Sequence, residues 1–96
     1  MKIPLGYICF SDSLRDLASN DIHFMKFVVD SLLRHASGDW GSESHANGAA
    51  LRRYGSIYSI YKTDNAPDIL VITDSDRSST TVKFPDEKFF NTGFKY

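Results

Sequence analysis

The spacing of apolar residues changes once along the chain, and that change sets the fold class. Between Asp21 and about Ala36, the residues Ile22, Met25, Val28, Val29, Leu32, Leu33 and Ala36 recur at three- and four-residue steps. That spacing predicts a helix with one broad apolar face. From Ser56 onward the pattern is extended. Residues 56–62 and 80–84 read as strands, and 69–73 form an apolar run expected to be a central strand covered on both sides. Helices grouped ahead of a strand meander predict an α+β domain with an antiparallel sheet packed against helices.

The other elements follow from local signals. Residues 3–10 are rich in β-formers (Ile3, Tyr7, Ile8, Phe10) and predict a first strand. Ser11 is a candidate N-cap, Asp12 suits the first helical turn, and Leu14, Leu17 and Ala18 give a short helix a narrow stripe. Ser19-Asn20-Asp21 break that helix, and Asn20 or Asp21 can cap the next. Arg34 and His35 favour the end of the long helix, where Gly38 can supply a left-handed cap. Asp39-Trp40-Gly41 is a turn. Ser42 can then cap a third helix carrying Glu43, Ala46, Ala49, Ala50 and Leu51, with Arg52 and Arg53 at its end and Gly55 beyond. A hairpin loop over 63–68 contains Asp-Asn-Ala-Pro, a polar turn spans 74–77, and Pro85 ends the last strand. The tail, 86–96, carries Phe89, Phe90, Phe94 and Tyr96 and is expected to dock on the body. The order is β-α-α-α-β-β-β in a single domain over residues 1–96.

Charge and cysteine content exclude some roles. Eleven basic and 12 acidic residues leave a net charge of −1, whereas a general phosphate-backbone binder carries a clear positive excess. Direct nucleic-acid binding is therefore not expected. The single cysteine, Cys9, allows neither an internal disulfide nor a multi-cysteine zinc site, and it reads as a small buried hydrophobe in a reducing compartment. The apolar run in residues 1–10 is short and broken by Pro4 and Gly6, which suits neither a signal peptide nor a membrane span. The expected localisation is cytoplasmic, with no membrane partner. A domain this small gains stability by binding a partner, so a homodimer is compatible with the reading.

Three stretches carry a resemblance. They are Arg34-His35-Ala36-Ser37-Gly38-Asp39-Trp40-Gly41, then Gly55-Ser56-Ile57-Tyr58-Ser59-Ile60-Tyr61, then Val71-Ile72-Thr73-Asp74-Ser75-Asp76-Arg77-Ser78-Ser79-Thr80-Thr81-Val82 with Pro85 after it. Together they resemble a family of small, mostly uncharacterised bacterial proteins of plasmids, integrative elements and phages, with RHxxGDWG and ITxxDRSxTTV motifs. Asn47 and Ala50-Leu51 match its middle element, and the likeness spans residues 5–87. The stretch between the GDWG turn and Asn47 is shorter and less acidic here, and Asp74 and Ser75 stand where the family has Glu and Ala. The resemblance implies a mobile-element setting and no particular reaction. A topological likeness to RelE/ParE-type toxins implies a ribonuclease or its toxin–antitoxin partner as the alternative, although such proteins are basic along their last strands and this chain has only Lys83 there.

Two turns are the candidate binding surface. In the first, Arg34, His35, Asp39 and Trp40 could present a recognition patch, since Trp and Arg are favoured at binding hot spots; the other reading places Trp40 in the core under the helix junction. In the second, Asp74, Asp76 and Arg77 could meet a partner or a hard cation, or could simply cap backbone amides in a turn. His23, His35 and His45 lack zinc spacing, and no nucleophile triad or phosphate loop is present. No catalytic residue, metal or cofactor is expected. The functional expectation is a non-enzymatic protein that docks on a host protein or ribonucleoprotein complex and inhibits a defence system, in the manner of anti-CRISPR or anti-restriction inhibitors.

Overall fold

The computed structural model describes residues 3–41, 47–49 and 55–87. Its elements are β1 (Tyr7–Phe10), α1 (Asp12–Asn20), α2 (Ile22–Ser37), β2 (Ile57–Thr63), β3 (Ala66–Thr73) and β4 (Ser79–Lys83), with residues 47–49 helical between α2 and β2. This is the expected β-α-α-α-β-β-β order of an α+β domain. The roles read for Ser42, Glu43, Ala46, Ala50, Leu51, Arg52 and Arg53, and for Phe89, Phe90, Phe94 and Tyr96 of the tail, fall outside the described residues. Among the described residues no helix is long and apolar enough to cross a membrane.

The sheet corrects the expectation of a purely antiparallel arrangement. Its strand order is β1-β4-β3-β2, and β1 runs parallel to β4 while the other pairs are antiparallel. Short turns join β2, β3 and β4, which forces neighbours to reverse direction. β1 is separated from its partner by the helices, and such a crossover permits parallel pairing. The open edge of the meander at β2 is blocked. Asn47 donates from Nδ2 to the Tyr58 carbonyl at 2.6 Å, and its Oδ1 accepts from the Tyr58 N–H at 3.1 Å. The amide thus stands in for a neighbouring strand, a device that blunts edge pairing, and β1 takes the remaining edge at β4.

The caps act as read. Ser11 Oγ accepts from the Leu14 N–H, and Asp21 Oδ1 accepts from the His23 and Phe24 N–H groups. Leu14 and Ala18 from α1 and Phe24 and Val28 from α2 pack on Tyr61, Ile69, Val71 and Val82 of the sheet. The covered face of α2 is narrower than its apolar pattern. Phe24, Val28, Ser31 and His35 are buried, whereas Ile22 is 80% and Leu33 64% exposed.

Four further expectations change. β1 begins only at Tyr7, because Gly6 takes a φ of 66°, outside the strand region. β3 is covered unequally on its two sides: Ile69, Val71 and Thr73 are buried, while Leu70 and Ile72 on the other face are half-buried. The hairpin turn is only Asp64-Asn65, so Ala66 and Pro67 belong to β3. Cys9 is exposed, because β1 lies at a sheet edge.

Candidate functional site

The C-terminus of α2, the start of β2, the β3–β4 hairpin and the loop before β1 meet at one pole of the domain, and His35 lies at their centre. Helical spacing from Phe24, Val28 and Ser31 points His35 at the sheet, where its ring is fully buried. Nδ1 lies 2.6 Å from Ser59 Oγ and Nε2 lies 2.9 Å from Thr73 Oγ1. Strand alternation and register supply the rest. Ser59 and Tyr61 share the inner face of β2, and Thr73 stands directly across from Thr80. Ser59 donates to the Tyr61 hydroxyl at 3.1 Å, and Tyr61 donates to the Asp39 carbonyl at 2.7 Å. On the other side Thr73 and Thr80 hydroxyls are 2.7 Å apart, and Thr80 donates to the Leu5 carbonyl at 2.8 Å. Burial lowers the pKa of His35 from 6.5 to about 4, so the ring is neutral at pH 7. Burial likewise raises the Tyr61 phenol, against smaller opposing contributions from Ser59 and Arg34.

The 38–41 turn is built on this network. Gly38 adopts φ 91°, its N–H donates to the His35 carbonyl, and the Asp39 N–H donates to the Arg34 carbonyl at 2.9 Å. This is a Schellman-type ending, in which glycine is strongly preferred. Trp40 is only 6% exposed, packs against Ile3 and Ile57, and donates its Nε1–H to the His35 carbonyl at 2.8 Å. Arg34 Nε donates to Asp39 Oδ2 at 2.7 Å with both side chains about half exposed, and the guanidinium stacks 4.7 Å over the Tyr61 ring. Their mutual hydrogen bond lowers the Asp39 carboxyl and raises Arg34.

The 74–78 turn is anchored just as closely. Asp74 and Ser79 pair through the backbone and through Ser79 Oγ, which donates to Asp74 Oδ2 at 2.8 Å. Arg77 sits at φ 62°, rare for a non-glycine residue. Its Nη1 donates to the carbonyls of Gly55 at 2.7 Å and Asp74 at 3.0 Å, tying the hairpin to the approach of β2. Asp76 is exposed and accepts from the Ser78 N–H, and hydrogen bonds from Ser78 lower its carboxyl. A Cβ on Gly6 would collide with the Ser78 carbonyl, so the loop before β1 packs backbone to backbone on this turn.

The two turns named from sequence therefore share a pole, joined where His35 meets Thr73. Arg34, Asp39 and Asp76 reach solvent, while Asp74 and Arg77 are half-buried. His35 and Trp40 must be withdrawn from the candidate surface. Both are buried: helical spacing turns His35 onto the sheet, where its ring bonds Ser59 and Thr73, and Trp40 packs on Ile3 and Ile57 while its Nε1–H satisfies a carbonyl at the helix end. Sequence reasoning missed Ser59, Tyr61, Thr73 and Thr80, polar residues at inward strand positions. The signal available was their alternation with Ile57, Val71 and Val82. It also missed Glu87, whose Oε1 accepts from Ser11 Oγ at 2.7 Å and from the Phe84 N–H at 2.8 Å. Burial pushes the Glu87 carboxyl up, but hydrogen bonds from Phe84, Ser11 and Ser13 and the charge of Lys83 outweigh it and leave it lowered.

A shallow hollow of about 370 Å³ lies elsewhere, lined by Pro67, Asp68, Phe84, Pro85 and Asp86. Among the described residues no group of three or more His, Cys, Asp or Glu side chains is placed to hold a metal ion. No family model, curated protein or solved structure matches the chain.

Proposed function

We propose that the protein is a non-enzymatic binding module of a mobile genetic element. It docks on a host protein or ribonucleoprotein complex and inhibits a defence system, in the manner of anti-CRISPR or anti-restriction inhibitors. The observation that carries this reading is the pole itself: Arg34 at the end of α2 and Asp39 and Asp76 on short turns face solvent, anchored to a buried hydrogen-bond network. Charged groups on rigid loops lose little freedom on binding, which favours recognition. The mobile-element setting rests on the sequence resemblance of the same two turns. Inducing the protein in a host armed with a CRISPR or restriction system tests the proposal. The expected result is normal growth with restored phage plating, abolished by Asp39→Arg or Asp76→Arg. Growth arrest on induction alone would instead favour the toxin alternative.

A further inference from the structure

The chain of hydrogen bonds through His35 has an odd proton count. Six contacts link the Asp39 carbonyl, Tyr61, Ser59, His35, Thr73, Thr80 and the Leu5 carbonyl in series. Each contact needs one hydrogen, and both ends are carbonyls, which only accept. The four hydroxyls and a neutral imidazole supply five hydrogens for these six contacts. The ring, Ser59, Thr73 and Thr80 are fully buried and Tyr61 nearly so, so the gap stays inside the chain.

We infer that His35 is the switch point of this chain: its tautomer decides which arm is complete, and its protonation completes both. With the hydrogen on Nδ1, the ring donates to Ser59, Ser59 to Tyr61 and Tyr61 to Asp39. The 38–41 turn is then fully held, and the gap falls on the arm through Thr73 and Thr80. With the hydrogen on Nε2, the ring donates to Thr73, Thr73 to Thr80 and Thr80 to Leu5. The gap then moves to the Tyr61 arm. An imidazolium donates both ways and leaves none. The device couples the two turns, since tightening one arm draws the hydrogen away from the other. The groups around the ring favour no arm outright. Among the described residues, β3 and β4 present the Thr73 and Thr80 hydroxyls, β2 presents Ser59 and Tyr61, and Arg34 and Asp39 are paired with each other beyond the Tyr61 ring.

Deleting a hydroxyl that does not touch the ring tests the inference. Thr80→Val removes two contacts and one hydrogen, which leaves an exact match only with Nδ1 protonated. Tyr61→Phe does the same on the other arm and requires Nε2–H. Imidazole ¹⁵N spectra at neutral pH distinguish the two forms. The expected result is Nδ1–H in Thr80→Val and Nε2–H in Tyr61→Phe, with Thr80→Ser retaining the wild-type pattern. The same tautomer in both variants would overturn the inference. Should either variant fail to fold, Thr73→Val and Ser59→Ala act on the same arms with the same expected forms.

Discussion

The interior of the domain has two ends that share strands but differ in chemistry. On β3, Ile69 and Val71 lie in an apolar cluster with Leu14, Phe24, Val28 and Val82, and two residues further Thr73 belongs to the His35 network. On β4, Val82 and Thr80 make the same step. Apolar contacts are non-directional, so the first end depends on volume and burial. The polar end depends on partners, because each buried hydroxyl must find one. The packed end supplies stability, and the polar end fixes the geometry of the turns that carry the solvent-facing charges.

Breaking the packed end gives the largest effect. Phe24→Ala opens a cavity between α2 and Phe84 and is expected to lower stability by about 4 kcal/mol in urea unfolding. A loss below about 1 kcal/mol would mean the apolar cluster is not the main support.

Acid acts first on the polar end. His35 has a lowered pKa in the fold, so the unfolded chain binds the proton first. Its contribution is fully present above the unfolded value of 6.5 and is lost as pH falls toward about 4. The full loss is on the order of 3 kcal/mol. Denaturant unfolding across that window should show the slope, and His35→Gln should flatten it. Asp39, Asp76 and Glu87, also lowered, act at lower pH, below their unfolded values of 3.8 to 4.5.

Exchanging the chemistry of adjacent inward positions sharpens the contrast. Val71→Thr puts an unpartnered hydroxyl into the apolar cluster and should cost about 2 kcal/mol. Thr73→Val, one step along the same face, removes hydrogen bonds but leaves the proton count balanced, and should cost about 1 kcal/mol. Equal losses in thermal or urea unfolding would erase the distinction between the two ends.

The packed end was largely legible in the sequence, and the polar end was not. The caps at Ser11, Asp21 and Gly38 and the period of α2 are local signals, and local geometry obeys them. The period cannot show where α2's neighbours stop, so the apolar face it defines takes in Ile22 and Leu33, which are exposed. The parallel pairing of β1 was hidden because direction depends on which edge is free, and Asn47 closes one edge from 11 residues away in sequence. His35 and Trp40 stood out as distinctive residues of a turn. The burial of His35 follows from Ser59 and Thr73, which lie 24 and 38 residues further on, and that of Trp40 from Ile3 and Ile57.

The smallest expected effect on stability bears most directly on the division between support and surface. Asp39 gives its backbone to the network and its carboxylate to an exposed pair with Arg34, and such solvent-screened pairs contribute little to stability. Melting temperature and defence inhibition should be measured together for Asp39→Ala. The expected result is a melting temperature within about 2 °C of wild type, with phage plating on the armed host reduced. A melting temperature lower by several degrees, or plating unchanged, would contradict the assignment of the charged pole as the binding surface.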